Sequence, residues 1–234
     1  MTTVKKIDRR KKYMMMVDVE TTMTDGNEQI IFDLGFAIFT KDGSVYEKRS
    51  YVIAEVFDNY NLMSRAYYFS KYPKYLKGLE SGEFVKAHWV TAITEMMNLI
   101  NQYDVKEVVA YNLAFDLRAI KKTNEYIRNR EFKLFDNLKQ ECLWNKAVET
   151  ICQQKSYKAF CKKHGLIAPS GKFYKTSAES VFAYMENNPS FEEEHTGLED
   201  SLIEVQIYVR NKRQKKKMSG GIINQPFRKV AIEK

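Results

Sequence analysis

Two carboxylates, Asp18 and Glu20, end the apolar run that begins at Tyr13. On a strand, side chains two apart share a face, so both project the same way. Adjacent anions repel unless a cation lies between them or one of them is protonated. Hard oxygen ligands of this kind favour Mg²⁺ or Mn²⁺. Taken alone, the pair is more simply read as solvated acids at a strand end. A third carboxylate, Asp116, stands four residues after Asn112. With Asn112 as N-cap, Asp116 falls in a first helical turn, where the helix dipole favours negative charge. His195 and Asp200 flank Thr196-Gly197-Leu198-Glu199, which fits a capping box with Thr196 as N-cap and Glu199 at the third helical position. His195 and Asp200 then occupy the two positions whose side chains ordinarily meet in a hydrophobic staple. A pair that should be apolar is ionisable instead, and such a broken local rule points to a functional site. The plainer reading is a surface histidine beside Glu192-Glu193-Glu194.

The elements that must position these groups follow from periodicity. Strands are expected over Tyr13–Val19, Gln29–Phe39 and Ser44–Val52, the last two joined by a hairpin turn at Asp42-Gly43. Residues 55–84 read as an irregular, aromatic-rich connection. A helix follows with Val90, Ile93, Met97 and Ile100 on one face. Further strands are expected over Val105–Tyr111 and Phe132–Phe135, and helices over Leu143–Cys152, Tyr157–His164 and Ser177–Met185. The last helix should bury Leu198, Leu202, Val205 and Val209. Three leading strands followed by alternating strand and helix indicate a mixed α/β sheet in a single domain.

Three motifs, Asp-x-Glu, Asn-x-x-Phe-Asp and His-x-x-x-x-Asp, each occur once and in this order. In order and separation they resemble the motifs of the DEDDh, or DnaQ-like, 3′→5′ exonucleases, over roughly residues 13–210. The stretch Val17-Asp18-Val19-Glu20-Thr21-Thr22 is close to that family's first motif, with Met23 where the family often has glycine. The compact single-domain form is similar to small bacteriophage-encoded members. The resemblance implies a ribonuclease H-like fold, a mixed five-stranded sheet flanked by helices, and two Mg²⁺ or Mn²⁺ ions per site. Asp18 would bridge both ions, Glu20 and Asp200 would complete one site, Asp116 would support the second, and His195 would deprotonate the attacking water. Thr21 would contact the terminal 3′-hydroxyl through its backbone, Phe115 would pack near the last base, and Asn112 belongs to the same substrate-binding set. The implied substrate is a single-stranded nucleic-acid 3′ end, DNA before RNA, with a polymerase or other replication protein as a further partner. An exoribonuclease of the same fold and a non-catalytic nucleic-acid-binding or polymerase-associated module remain open alternatives.

Composition agrees with this class. The chain has 234 residues, 44% of them hydrophobic and 29% charged, which excludes a wholly disordered protein. Its net charge of +8 is unevenly placed. Residues 1–12 hold six Lys/Arg and one Asp, and residues 210–234 hold nine Lys/Arg and one Glu. Residues 13–209 hold 23 basic and 28 acidic residues, so an acidic body carries two basic arms, which suit a polyanion or a solvated tail. The expected division is a basic arm over 1–12, the exonuclease-like domain over 13–212 and a basic extension over 213–234. Three cysteines are too few for a disulfide framework. Cys142, Cys152 and Cys161 read as core residues before they read as zinc ligands. No run approaches the length needed to span a bilayer, and a reducing cytoplasmic setting, the host's if the chain is phage-encoded, is expected. In 55–84, Tyr60, Tyr67, Tyr68, Phe69, Tyr72 and Tyr75 alternate with Arg65, Lys71, Lys74 and Lys77. Most of these rings should pack on the domain, with one or two left to stack on substrate.

Overall fold

The computed structural model describes residues 7–131, 133–214, 218, 223 and 225–232. The chain runs β1 (Tyr13–Met23), β2 (Gln29–Thr40) and β3 (Val45–Ile53), then the short helices α1 (Ala54–Phe57) and α2 (Tyr60–Met63). Next come α3 (Tyr72–Ser81), β4 (Val85–Ala87), α4 (Trp89–Tyr103), β5 (Glu107–Ala110) and α5 (Leu113–Arg128). They are followed by β6 (Lys139–Cys142), α6 (Leu143–Glu149), α7 (Lys155–Lys163), α8 (Ala178–Met185) and α9 (Gly197–Lys212). The sheet order is β4-β3-β2-β1-β5-β6. The β1–β2 and β2–β3 pairs are antiparallel, and β1–β5, β3–β4 and β5–β6 are parallel.

Alternation along β1 explains where the site lies. Tyr13, Met15, Val17 and Val19 enter a core formed with α1 to α5, where Trp89, Met96 and Ile120 are buried. Met14 and Met16 face a second core with α6 to α9, where Tyr157, Val181 and Tyr208 are buried. Asp18 and Glu20 continue the row of Met14 and Met16, so both carboxylates point to the side that α9 covers. Between Glu20 and Thr21 the register of β1 against β2 shifts, a bulge at the edge of the site.

The hairpin expected at Asp42-Gly43 forms, with Gly43 at φ 89° and the Thr40 hydroxyl donating to Asp42 at 2.6 Å. Several sequence expectations are corrected. The sheet has six strands where five were expected, because β4 adds to the edge of β3. The strand beyond β5 is Lys139–Cys142 and not Phe132–Phe135. Leu134 and Phe135 pack on the first core from a turn, and Phe132 lies outside the described residues. In α4 the buried face carries Trp89, Ile93, Met96 and Tyr103, while Val90 and Met97 are exposed, because the aromatic ends of the helix turn it toward the core. In α9 the inward face carries Asp200, Ser201, Glu204, Tyr208 and Asn211, and Leu198, Leu202 and Val209 are only partly buried.

The residues after α9 were expected to lie outside the core. Pro226–Val230 instead forms a 3₁₀ turn against α6, with Val230 fully buried. The Lys215-Lys216-Lys217 run lies outside the described residues, as do residues 1–6 of the amino-terminal arm. Cys142 packs in the first core, and Cys152 and Cys161 in the second. Among the described residues no helix is long and apolar enough to cross a membrane.

Candidate active site

Three elements meet at the carboxyl ends of β1 and β5, and two glycines set how closely. A Cβ built on Gly35 of β2 would stand 1.9 Å from the Gly197 carbonyl carbon, and one built on Gly197 would stand 2.8 Å from the Asp18 carbonyl oxygen. Only paired glycines let the start of α9 rest on the sheet there. Asp33, fully buried on β2, fastens the contact. Its carboxylate accepts the Gly197 N–H at 3.0 Å and the Tyr75 hydroxyl at 2.6 Å. Burial raises the Asp33 pKa, and those two hydrogen bonds oppose the rise. The Ser201 hydroxyl donates to the Gly35 carbonyl at 3.3 Å.

This docking brings the separated motifs together. Asp18, Asn112, Phe115, Asp116, Asp200 and Glu204 line one cavity of about 470 Å³. Glu20 approaches from β1, and ligand atoms of Glu20, His195 and Asp200 lie within 4.8 Å of one another. His195 Nδ1 stands 3.9 Å from Asp200 Oδ2 and 4.0 Å from Glu193 Oε2, so the two staple positions do meet. Thr196 takes the N-cap position, but its hydroxyl donates to the Glu199 carboxylate at 2.6 Å and caps no backbone N–H. Asn112 precedes α5 and likewise makes no side-chain cap. Thr21 sits half-buried at the bulge and does not line the cavity.

The electrostatics are those of crowded anions. Burial, then Glu204, holds Asp18 well above the usual carboxylate range. Burial, then Asp200, pushes Glu20 up to about 9. Burial pushes Asp116 up to about 8, against backbone hydrogen bonds from its own N–H and that of Val19. Asp200 rises to about 7 through burial and then Glu199. Two carboxylates that the motifs did not identify join them. Glu204 is 3% exposed, accepts the Tyr111 N–H at 3.1 Å and is raised by burial and Asp116. Glu193 is pushed up to about 8 by burial and then Asp200. The sequence signal for Glu204 is its place one helical turn after Asp200, on the same face. For Glu193 there is only proximity to His195.

These residues fit a divalent cation. The donors are hard oxygens with one imidazole, the combination that suits Mg²⁺ or Mn²⁺. Asp200 Oδ1 and Glu193 Oε1 are buried with no hydrogen-bond partner. A buried carboxylate oxygen left this way is costly unless something satisfies it.

His195 is held rather than free. It adopts a left-handed backbone at φ 49°, and its ring stacks on Tyr68 with centroids 4.0 Å apart and planes 14° apart. Burial, then the Lys71 charge, lowers its pKa to about 4, with Glu194 opposing. Lys71 donates to the Glu194 carbonyl at 2.6 Å, and Lys74 reaches the Glu194 carboxylate at 2.7 Å. Much of the aromatic, basic segment thus braces the histidine loop. Tyr75 is buried and Tyr72 stacks on Phe57, while Tyr60 and Tyr67 are exposed.

No protein-family model matches the sequence, and no curated protein matches it. Solved structures do match at the level of fold. A full-length 3′-exonuclease aligns over 95% of this chain and 90% of its own, with a TM-score of 0.50 and 10% identity. Escherichia coli exonuclease I in complex with a dA16 oligonucleotide aligns over 87% of this chain with a TM-score of 0.55 and 11% identity. The match spans only 41% of that enzyme's length. Cell-death related nuclease 4 aligns over 88% of this chain and 66% of its own, with a TM-score of 0.52 and 9% identity. The mixed six-stranded sheet flanked by helices is the ribonuclease H-like fold that these 3′-exonuclease structures share.

Proposed function

We propose that the protein is a metal-dependent 3′→5′ exonuclease. It hydrolyses phosphodiester bonds at single-stranded 3′ ends, DNA before RNA, and releases nucleoside 5′-monophosphates. The observation that carries this reading is the convergence of Asp18, Asp116 and Asp200 in one cavity, with Glu20 and His195 at its edge. Asp18, Glu20 and Asp200 would hold one Mg²⁺ or Mn²⁺ and Asp18 with Asp116 a second. Two such ions lower the pKa of water and stabilise charge on the attacking and leaving oxygens.

The chain's own residues do the rest. His195 stands with Nδ1 3.9 Å from Asp200, and burial with the Lys71 charge favours its neutral form, the form that can accept a proton from the attacking water. Tyr68 keeps the ring in plane. Phe115 and Asn112, which line the cavity, would hold the last nucleotide, and the Thr21 backbone at the neighbouring bulge would contact its 3′-hydroxyl. That Escherichia coli exonuclease I of the same fold has been seen with a single-stranded oligonucleotide supports the choice of substrate. A polymerase or replication protein remains a proposed partner through the basic arms.

The test is a gel assay on 5′-labelled single-stranded DNA and RNA of equal length, with Mg²⁺, Mn²⁺ or EDTA, beside Asp18→Ala and His195→Ala. The expected result is a metal-dependent ladder shortening from the 3′ end, faster on DNA and lost in both variants. Intact substrate under every metal condition, with binding retained, contradicts the proposal and favours a non-catalytic binding module.

A further inference from the structure

The cavity that holds the carboxylates has beside it a second one of about 480 Å³. Tyr68, Trp144, Ser177 and Glu193 line both, so the two adjoin across these four residues. The second part leads past Trp144 to Tyr174, Lys175 and Phe227. Its aromatic surfaces are fixed in place. The Trp144 indole N–H donates to the Thr176 hydroxyl at 2.9 Å, and the Tyr111 hydroxyl donates to the Thr176 carbonyl at 2.7 Å. Phe227 lies nearly parallel to Trp144, with centroids 6.2 Å apart and planes at 21°, and meets the edge of Phe173 at 5.3 Å. The segment carrying Phe227 is pinned on both sides, since the Tyr174 N–H donates to the Val230 carbonyl and Lys229 pairs with Glu149 at 2.7 Å.

We infer that this groove is a binding site for the nucleotides on the 5′ side of the scissile bond, with Trp144 and Phe227 as the stacking platform for their bases. The inference rests on the exonuclease reading and extends it to the path of the substrate. A 3′ end seated at the carboxylates needs an exit for the rest of its strand, and this groove adjoins that seat. Its floor is apolar and aromatic but includes Glu179 and Glu193. Those acids repel phosphates, so the bases turn inward, and the backbone runs along the rim where Lys175 is exposed. A single strand, whose bases are free to unstack onto aromatic rings, fits this arrangement. A duplex keeps its base faces covered. The carboxyl-terminal segment thereby becomes part of the substrate site and not an appendage.

Fluorescence anisotropy with the full chain tests this, using labelled single-stranded DNA with Ca²⁺ in place of Mg²⁺, and cleavage scored by gel on the same samples. Abasic residues replace the bases next in line behind the 3′-terminal nucleotide, one at a time. In the unaltered protein at least one such abasic residue should weaken binding roughly ten-fold, the size of one base–aromatic stack. Phe227→Ala, which leaves only Trp144 of the platform, should weaken the intact strand and reduce the penalty for the abasic residue several-fold. Phe227→Tyr, which keeps a ring, should retain both, and this separates lost stacking from a displaced segment. Equal affinity for intact and abasic strands, or a Phe227→Ala protein that senses the abasic residue as strongly as the unaltered one, overturns the inference. Metal-dependent hydrolysis together with indifference to upstream bases leaves the exonuclease reading standing and removes only this one. A protein that neither binds nor hydrolyses single strands overturns both.

Discussion

At the scale of single residues, the groups that form the cavity divide into those that motifs expose and those that only the fold reveals. Asp18, Glu20, Asp116, His195 and Asp200 are legible because each stands at a position with a local geometric meaning: a shared strand face, a first helical turn, a staple pair. Asp33 and Tyr68 have no such local marker. Their partners lie far away in sequence, as when Asp33 meets Tyr75 and Gly197. Asp33 is the residue whose role is most easily measured. Asp33→Ala leaves the Gly197 N–H without its acceptor and the Tyr75 hydroxyl with only the longer bond to the His195 carbonyl at 3.4 Å, and the orphaned buried amide alone costs about 1–3 kcal/mol. Chemical denaturation should show a fall in stability of about that size, with a loss of activity because α9 is no longer anchored. Unchanged stability together with full activity would contradict that role.

At the scale of elements, the approach of α9 to the sheet decides whether the site exists. Gly35→Ala places a methyl group 1.9 Å from the Gly197 carbonyl carbon, which is backbone and has nowhere to go. Overpacking of this kind costs about 1–3 kcal/mol or more, or roughly 2–12 °C in melting temperature for a chain of this size. Thermal denaturation should show that drop, and activity should fall further than stability because His195 and Asp200 move with α9. A Gly35→Ala protein with unaltered melting and activity would mean that α9 sits elsewhere. The elements themselves were unequally legible. Strands β1, β2, β3 and β5 are apolar enough to read directly, and the Asp42-Gly43 turn fixes the first hairpin. Strand β6 reads Lys-Gln-Glu-Cys, with no apolar run, and is held from outside its own sequence. The buried Glu141 carboxylate pairs there with Lys146 and with Lys212 of α9. The inward face of α9 was misread for the same reason as the site was found: the helix turns polar side chains inward to build it.

At the scale of the whole molecule, charge is sorted so that anions gather in the cavity where the proposed nucleic-acid substrate would arrive. Divalent cations remove that conflict, and stability should record it. Glu20, Asp116, Asp200 and Glu193 have folded-state pKa values raised to about 9, 8, 7 and 8. The folded protein therefore holds protons that the unfolded chain has already released, and the stability they contribute is lost as pH rises through those values. His195, lowered to about 4 from 6.5, acts in the opposite sense but only below pH 6.5. Between pH 6.5 and 9 the metal-free protein should lose melting temperature steadily, and added Mg²⁺ should raise it more at the upper end. A metal-free melting temperature that is flat across this window, or a Mg²⁺ shift independent of pH, would contradict this picture of the cavity. The central claim, that this cavity hydrolyses the terminal phosphodiester with water, is tested most directly by the product formed in ¹⁸O-labelled water. Mass spectrometry should find nucleoside 5′-monophosphates carrying one ¹⁸O in the phosphate, formed with Mg²⁺ or Mn²⁺ and absent with EDTA or in Asp18→Ala. Nucleoside 3′-phosphates, cyclic phosphates, internal fragments, or product formed without metal would contradict it.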